Sequence, residues 1–341
     1  MTQKRVLVTD YTWDSTDPEA AVLAEAGAKL IVAKTGEPEE LESLVSDADA
    51  ILTCFKQVPA RVLRAGHRLQ VVGRYGIGVD NIDVTAATQL GIIVTNVPAY
   101  CLDEVAEHAI ALILSLARNV PRYDNGTRAG KWDLKAGRPL YRVAGRTLGI
   151  VGFGKIGQTL ATKAIGLGLA ILAYDPFIDA AAARAHHAEA CTLEDLLKRS
   201  DYISLHTPLT DSTRHLIDES KLRLMKPSAF LVNTSRGGIL DQDSLVKALR
   251  EGWIAGAGLD VFERDRLPDE HPLLSLPNLI ATPHVAFYSE ESVLELERKA
   301  ARNVANVLSG QLPESIVNPA VLQLPRWAHL GRGRTESARQ G

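Results

Sequence analysis

Residues 148–157 read LGIVGFGKIG, in which Gly152, Gly154 and Gly157 form a G-x-G-x-x-G pattern. The apolar residues before the pattern predict a β-strand, and residues 155–167 predict a helix directly after it. The first glycine permits a tight turn, the second lets a pyrophosphate approach the backbone, and the third lets the helix pack closely on the strand. A phosphate would then lie at the positive end of the helix dipole. In this strand–turn–helix context, the stretch predicts a dinucleotide-binding sheet.

The next predicted strand, 170–174, is followed by Asp175, about 20 residues after the glycines, where a dinucleotide-binding sheet carries an acidic residue. A carboxylate at this position accepts a hydrogen bond from the ribose 2′-hydroxyl and repels a 2′-phosphate, so it predicts NAD rather than NADP. The alternative is structural: Asp175 only holds the turn before Pro176.

Runs of β-branched and aliphatic residues alternate with helical patterns along most of the chain. The predicted strands before the glycine motif are 6–9, 30–33, 50–53, 70–73 and 92–95. From the motif onward they are 148–151, 170–174, 202–206, 230–233, 256–259 and 279–281. Such alternation predicts an α/β fold with two doubly wound parallel sheets, each covered by helices on both faces.

Two long helical patterns flank the later strands. Residues 103–118 are apolar nearly all round, which predicts a helix buried between domains or between subunits. Residues 292–308 predict a second helix, which chain order alone assigns to neither domain. The polar stretch 326–341 predicts a disordered tail.

The composition is that of a globular protein, with 341 residues, 46% hydrophobic and 23% charged residues, and a net charge of -3. This balance excludes disorder along the whole chain, argues against nucleic acid as the main partner, and predicts two domains. No apolar run approaches the roughly 18 residues that a membrane span needs, and residues 1–14 lack the pattern of a signal peptide. The 3 cysteines are widely spaced, which predicts no disulfide framework and a reducing, cytoplasmic compartment.

Glu104 and His108 stand four positions apart on the helix predicted over residues 103–118 and could in principle share a metal ion. Two ligands are too few for a protein metal site. The pair therefore predicts a structural role and no metal.

Polar residues follow the later predicted strands, at His206-Thr207-Pro208, Asn233 to Gly238, Asp260 and Thr282-Pro283-His284. The carboxyl ends of parallel strands form one edge of a sheet, and ligands bind there. Arg236, in the second of these groups, presents a planar guanidinium suited to a carboxylate or a polarised carbonyl. His284 exchanges a proton near neutral pH. In the alternative, Arg236 pairs with a surface acid and His284 caps the turn after Pro283.

These segments resemble the D-isomer-specific 2-hydroxyacid dehydrogenases over residues 5–320. The resemblance implies an NAD-dependent oxidoreductase that interconverts a 2-oxo acid and its D-2-hydroxy acid. It rests on RYGIGVDNID (74–83), NVPAYCLDEVAEH (96–108), LGIVGFGKIG (148–157), YDP (174–176), HTPLT (206–210), NTSRGG (233–238), GLDVFE (258–263) and TPH (282–284).

The resemblance also implies two domains with different roles. Residues 1–101 and 288–325 would form a flavodoxin-like substrate domain, and residues 102–287 an inserted Rossmann NAD-binding domain. Members of this family are typically homodimers built on the NAD-binding domain. The implied partners are therefore a small 2-oxo or 2-hydroxy acid and a second copy of the chain.

By resemblance, Arg236 holds the substrate carboxylate and carbonyl, His284 is the general acid/base, and the carboxylate of Asp265 orients His284 and raises its pKa. The backbone amides around Ile77 and Gly78 hold the other side of the substrate carboxylate. The predicted cofactor contacts are Gly152, Gly154, Lys155, Ile156, Gly157, Asp175, His206, Thr207, Pro208, Thr234, Ser235, Arg236, Asp260, His284 and Ala286. The predicted substrate contacts are Arg74, Tyr75, Gly76, Ile77, Gly78, Tyr100, Arg236, His284 and Phe287.

Two departures from the family pattern leave alternatives open. The family usually has Glu, followed by Pro, where this chain has Asp265 and Arg266, and Glu263 is a nearby substitute. Residues 282–292 resemble a subgroup that includes the C-terminal-binding-protein co-repressors, which carry tryptophan at the position of Phe287. The alternative function is therefore an NAD(H)-sensing, co-repressor-like or scaffold protein with weak or vestigial dehydrogenase activity.

Three aromatic residues, Tyr75, Tyr100 and Phe287, are predicted at the mouth of the site. As an apolar wall they would favour 2-oxo acids with a bulky apolar side chain, because each buried methylene adds about 0.8 kcal/mol of binding. In the alternative, the three rings serve only packing between domains.

Overall fold

The computed structural model describes residues 3–264 and 266–331. The described chain forms two compact units. The first comprises the residues up to Tyr100 together with those from Ser289 on, and the second is Cys101–Tyr288. The observed boundaries each lie one residue from the predicted domain boundaries.

The first unit is built on a parallel sheet whose strands are β1 (Lys4–Val8), β2 (Ala28–Val32), β3 (Ala50–Thr53), β4 (Val71–Arg74) and β5 (Ile93–Thr95). Their order across the sheet is β2-β1-β3-β4-β5, which is the flavodoxin-like order. Strand β3 is buried along its whole length, as expected of a parallel strand covered on both faces. The first helices of this unit are α1 (Asp17–Glu25), α2 (Pro38–Val45), α3 (Ala60–Ala65) and α4 (Val84–Gln89).

The strands of the second unit are β6 (Thr147–Val151), β7 (Ala170–Tyr174), β8 (Ala188–Ala190), β9 (Tyr202–Leu205), β10 (Phe230–Asn233), β11 (Gly256–Leu259) and β12 (Leu279–Ala281). They form one 7-stranded parallel sheet in the order β12-β11-β10-β9-β6-β7-β8. The strand β8 is missing from the prediction, because the sequence AEA is too short and too polar to show a strand pattern. From β8 to β11 the sheet has the order of a dinucleotide-binding fold, and β12 extends it.

The helices of the second unit are α5 (Leu102–Ala117), α6 (Val120–Arg128), α7 (Lys155–Ile165), α8 (Ala180–Ala185), α9 (Leu193–Arg199), α10 (Glu219–Leu222) and α11 (Gln242–Glu251). The apolar helix α5 packs on α7, β10 and β11. At Gly258 of β11, a Cβ would lie 3.1 Å from Cβ of Leu112 on α5. This face of α5 is therefore covered within its own unit, which neither of the predicted alternatives had foreseen.

The long helix α12 (Glu290–Leu308) belongs to the first unit and packs on α1, β3 and β4. A capping box between Ser289 and Ser292 fixes its N-terminus. Val304 lies against β4, where a Cβ at Gly73 would be 2.8 Å from Cγ2 of the valine. The helix predicted over residues 292–308 therefore belongs to the first unit, which also contains the N-terminal part of the chain.

The end of the described chain corrects the prediction of disorder from residue 326. A 3-10 turn, Pro325–Trp327, leads directly into α13 (Ala328–Gly331). The indole of Trp327 is buried and donates a hydrogen bond of 2.9 Å to the backbone oxygen of Gly91. One buried aromatic ring thus anchors a segment that its polar composition made look disordered. The remainder of the predicted tail, 332–341, lies outside the described residues.

Other 3-10 turns occur at Gly237–Ile239, Pro272–Ser275 and Pro319–Gln323. Among the described residues, no helix combines the length and the apolar character that a membrane crossing requires.

Candidate active site

The glycine turn between β6 and α7 makes the close backbone contacts that its motif predicts. Gly152 adopts a φ of 92°, and a Cβ there would lie 2.7 Å from the carbonyl carbon and oxygen of His206. A Cβ on Gly157 would lie 2.4 Å from the backbone oxygen of Gly152. Only glycine fits at these two positions, so the backbone of the turn packs directly on its neighbours.

The N-terminus of α7 opens at the middle glycine of the motif. Gly154 is the N-cap, and within the described residues no side chain caps the helix and no atom lies within 4 Å of a Cβ built on this glycine. The first-turn amides, those of Lys155, Ile156 and Gly157, have no intrahelical acceptor. They can therefore donate to a pyrophosphate, whose charge the helix dipole stabilises.

Asp175 lies at the end of β7, beside the glycine turn. Its Oδ2 accepts a hydrogen bond of 2.9 Å from the amide of Phe153, and its Oδ1 accepts one of 2.9 Å from the amide of Phe177. The carboxylate thus supports a turn, as the structural alternative requires. It is also fixed beside the glycine turn, at the position where a dinucleotide-binding sheet carries its ribose-binding acid.

Two buried hydroxyls at the same edge of the sheet are unsatisfied. Thr207 follows β9 and Thr234 follows β10, and in the part of the chain that the structure describes neither Oγ1 makes a hydrogen bond. Buried hydroxyls are nearly always paired, so two unpaired ones at a carboxyl edge indicate the site of a polar ligand. With the glycine turn and Asp175, these hydroxyls fit a dinucleotide.

The neighbouring predicted cofactor contacts lie at the same edge. Nε2 of His206 is 2.8 Å from Oγ of Ser204, and burial lowers the pKa of His206 to about 4. Its ring is therefore neutral at physiological pH and can only hydrogen bond. Pro208 is exposed, and both the amide and the hydroxyl of Ser235 donate to Oδ1 of Asn233, at 3.0 and 2.8 Å.

Arg236 stands in the turn after β10, with an extended backbone. Its Nη1 donates to the backbone oxygen of Ser235 at 2.8 Å, and its own backbone oxygen accepts from Nδ2 of Asn233 at 2.9 Å. A Cβ on Gly237 would lie 1.8 Å from the carbonyl carbon of Phe262, so the turn is wedged against the segment after β11. These contacts fix a planar cation at the carboxyl edge of the sheet.

Asp260 supports the loop that carries His284. Its side chain is 0% exposed, and its carboxylate accepts from the amides of Val285 and Ala286, each at 2.9 Å. The backbone oxygen of Asp260 accepts from the amide of His284 at 2.8 Å. The contacts also stabilise His284 in a left-handed conformation, with a φ of 57°.

The carboxylate predicted to orient His284, that of Asp265, lies outside the described residues. Its nearby substitute, Glu263, is engaged elsewhere. Oε1 of Glu263 is 3.1 Å from Nε2 of His215 and accepts from the amide of Gln242 at 3.3 Å. These contacts do not support the alternative in which Glu263 orients the histidine.

In the first unit, β4 ends at Arg74, and the Gly76-Ile77-Gly78 turn follows. Gly76 has a φ of 143°, and a Cβ there would lie 2.5 Å from Nη1 of Arg74, so the guanidinium packs on the turn. Nδ2 of Asn96 donates to the backbone oxygen of Ile77 at 2.7 Å. Among the described residues, the amides of Ile77 and Gly78 and the buried Nε of Arg74 have no acceptor. These donors and this cation fit a carboxylate.

Tyr75 is a core residue of the first unit, which corrects its prediction as a substrate contact. Its ring is 1% exposed and packs edge-on against Trp13, with ring centroids 4.9 Å apart. Its hydroxyl donates to Oε1 of Glu19 at 2.9 Å. The side chain is therefore not available to a substrate.

The other two predicted aromatic contacts differ in exposure. Tyr100 is buried, whereas Phe287 is half-buried. The ring centroid of Phe287 lies 6.2 Å from that of His284, in an edge-on arrangement. Phe287 thus stands beside the predicted acid/base.

The Tyr75 hydroxyl leads to a pair of buried carboxyls that the sequence analysis missed. Glu19 lies on α1 and Glu297 on α12, and both are buried. Burial, and then the charge of Glu19, raise the pKa of Glu297 from 4.5 to about 8. Burial also raises the pKa of Glu19. The pair therefore holds a proton at neutral pH.

Replacing Glu297 by glutamine is expected to weaken the pH dependence of folding stability. An acid whose pKa is raised by folding stabilises the protein below its unfolded pKa, and this stabilisation is lost as pH rises through the folded pKa. The wild type should therefore lose stability from pH 4.5 to about 8 relative to the variant, by up to about 1.4 kcal/mol per pH unit. At pH 9 Glu297→Gln should be the more stable protein in urea titrations.

The matched control is Glu295→Gln, which removes an exposed carboxylate from the same helix. Its stability should follow the pH dependence of the wild type. If Glu297→Gln did the same, the carboxyls would not share a proton.

Comparison with known proteins identifies the family. The family description "D-isomer specific 2-hydroxyacid dehydrogenase, NAD binding domain" matches residues 110–286. A glyoxylate reductase from Korarchaeum cryptofilum is 44% identical over 285 residues, which cover 82% of this chain and 86% of the relative. A D-3-phosphoglycerate dehydrogenase from Methanocaldococcus jannaschii is 40% identical over 318 residues, which cover 92% of this chain and 59% of the relative.

Solved structures share the architecture. A D-lactate dehydrogenase from Aquifex aeolicus, complexed with NAD and lactic acid, has a TM-score of 0.83 at 28% identity and covers 92% of this chain and 99% of that one. The comparisons confirm the predicted fold class, the NAD cofactor and the enzyme class, and they do not favour a sensing or scaffold protein. The chain belongs to the D-isomer-specific 2-hydroxyacid dehydrogenases, NAD-dependent oxidoreductases that interconvert 2-oxo acids and 2-hydroxy acids.

Proposed function

We propose that this enzyme reduces a short 2-oxo acid, with glyoxylate as the first candidate, using NADH. The observation that carries the proposal is that the Arg236 turn and the His284 loop follow strands of one parallel sheet, at the carboxyl edge where the glycine turn also lies. The short substrate is supported by the relative named glyoxylate reductase. It is also supported by the burial of Tyr75, which removes one ring from the expected apolar wall.

In the proposed mechanism, the two side chains of the second unit have separate tasks. Arg236 binds the substrate carboxylate and the carbonyl oxygen through its planar fork, and so polarises the carbonyl. His284, protonated, donates to the carbonyl oxygen as the alcohol forms, and it takes the proton back in the opposite direction. NAD, when bound, supplies or accepts the hydride. By the family resemblance, the carboxylate of Asp265 orients the imidazole.

The remaining predicted contacts have binding roles. The amides of Ile77 and Gly78 donate to the substrate carboxylate, and the buried guanidinium of Arg74 adds positive charge to that turn. The first-turn amides of α7 bind the pyrophosphate, and the hydroxyls of Thr207 and Thr234 find their acceptors on the cofactor. The support for these roles is the set of unsatisfied donors at each position.

Steady-state kinetics with a panel of 2-oxo acids tests the proposed substrate. We expect kcat/KM for glyoxylate and hydroxypyruvate to exceed that for phenylpyruvate by about tenfold or more, because the burial of Tyr75 removes apolar surface that would bind a bulky side chain. Phe287→Leu should leave the glyoxylate value nearly unchanged. A preference for phenylpyruvate would instead support the predicted aromatic wall that favours bulky apolar side chains. The absence of turnover with every 2-oxo acid would contradict the proposed function.

Replacing Asp175 by alanine is expected to bring kcat/KM for NADH and NADPH closer together by about tenfold, since the change removes a like charge from the position of a 2′-phosphate. Asp179→Ala is the matched control, because Asp179 is an exposed acid in the same segment after β7 that caps α8 instead. Equal use of both cofactors by the wild type would refute the role of Asp175.

We further propose a homodimer that forms through the second unit. Trp132 and Leu134 are 83% and 89% exposed, and Val120 and Tyr141 in the same segment are also exposed. Large apolar side chains exposed along one segment favour burial against a partner, and a second copy is the partner typical of this family. Light scattering should give twice the chain mass of 36.9 kDa, and Trp132→Asp with Leu134→Asp should halve it. A single-chain mass for the wild type would contradict the dimer.

The cytoplasm is the compartment that we propose. An odd number of widely spaced cysteines supports a reducing environment. Fractionation of the native cells should find the activity in the soluble cytoplasmic fraction.

A further inference from the structure

The sequence predicts a structural role for His108 on α5, and the proposed mechanism gives it none. Among the described residues, no group of three His, Cys, Asp or Glu side chains could hold a metal ion. Instead, Nε2 of His108 lies 3.0 Å from Oγ1 of Thr282 and 3.6 Å from Oδ1 of Asp260. The contact joins α5 to the loop that carries His284.

The Thr282 hydroxyl determines which atom donates in its hydrogen bond with His108. Its Oγ1 lies 2.6 Å from Oδ1 of Asp260, and an ionised carboxylate can only accept, so the single hydroxyl proton points toward Asp260. The same oxygen must then accept from His108, and Nε2 of His108 therefore carries hydrogen. His108, Thr282 and Asp260 form a chain of hydrogen bonds that runs toward the carboxylate.

His108 is placed to stabilise the buried carboxylate of Asp260. Its side chain is 0% exposed, and a buried carboxylate without a compensating cation is unfavourable. Over residues 3–264 and 266–331, His108 is the basic side chain within ion-pair distance of Asp260.

We propose that His108 is a positioning residue for the reaction, acting through Thr282 and Asp260 on the backbone of His284. The inference rests on the proposed function, in which His284 is the acid/base. Asp260 accepts from the His284 amide through its backbone and from the next two amides through its carboxylate. A rotation of the Asp260 side chain therefore moves the segment in which His284 holds its left-handed φ.

Two substitutions at His108 separate positioning from general stability. For His108→Leu, which removes the hydrogen bond at similar volume, we expect kcat about tenfold lower, with the substrate KM and the Kd of NADH within about twofold of wild type. His108→Gln keeps a donor for Thr282 and should restore kcat to within about threefold. A joint loss of kcat, KM and Tm without rescue by glutamine would show a structural role only and overturn the inference.

Thr282→Val interrupts the same chain in its middle. We expect it to lower kcat by about tenfold, and the double variant with His108→Leu to be no slower than either single variant. Additive losses would overturn the inference. The matched control is Glu107→Gln, which alters an exposed neighbour on α5 that pairs with Lys163 at 2.8 Å and should keep the wild-type kcat.

The ring resonances of His284 give a readout that does not depend on turnover. In ¹³C-histidine-labelled enzyme with NADH bound, the His284 signal, assigned by its loss in His284→Asn, should shift in His108→Leu and return in His108→Gln. An unshifted signal in His108→Leu overturns the inference even if kcat falls. If the signal responds to His108 but the wild type turns over no 2-oxo acid, the positioning contact is supported and the proposed function is what fails.

Discussion

Replacing His284 by asparagine is expected to lower kcat for 2-oxo acid reduction by about two to four orders of magnitude. Asparagine tolerates the left-handed φ of 57° at this position, so the loop should keep its conformation. It has no proton to exchange near neutral pH, which removes the acid/base alone. NADH binding, followed by fluorescence, should persist because the glycine turn and Asp175 are unaltered.

A matched control for this substitution exists in the same unit. His187 is exposed and has a φ of 56°, so His187→Asn makes the same chemical change in the same backbone conformation. It should leave kcat unchanged. A His284→Asn enzyme with wild-type kcat would show that another group transfers the proton.

Replacing Arg236 by alanine is expected to lower kcat/KM for the 2-oxo acid by about two to four orders of magnitude, because two charge-assisted hydrogen bonds to the substrate are lost. Since the guanidinium binds the substrate in both its ground and transition states, KM should rise and kcat should fall. The measurement is initial-rate kinetics over a range of 2-oxo acid concentrations at saturating NADH.

Arg236→Lys separates charge from geometry in that experiment. Lysine keeps the positive charge but lacks the planar fork, so it should recover only part of the loss. If Arg236→Ala kept the wild-type kcat/KM, the substrate carboxylate would have to bind elsewhere, and the turn at Gly76–Gly78 would be the first place to examine.

The sequence was sufficient to predict the main features of the fold. The spacing of Gly152, Gly154 and Gly157 after an apolar run predicts the β6–α7 turn, because only glycine permits those backbone approaches. The strand β8 was not predicted, because three residues show no periodicity. The ordered segment around Trp327 was not predicted, because its polar composition indicates disorder although its tryptophan ring is buried.

The candidate site was predictable where strand ends alone determine position. Arg236 and His284 follow strands of one sheet, so their shared edge could be predicted without coordinates. The direction of the Tyr75 side chain could not, because a residue just past a strand can face the core or the solvent. The contact between His108 and Thr282 spans 174 positions in sequence, and no local pattern reports such a pair.

The stereochemistry of the product tests the central claim, D-specific reduction of a 2-oxo acid, most directly. Wild-type enzyme is incubated with NADH and hydroxypyruvate, and the glycerate formed is resolved by chiral chromatography. The account predicts D-glycerate in an amount equal to the NADH consumed. L-glycerate, a racemic product, or NADH binding without any glycerate would contradict it.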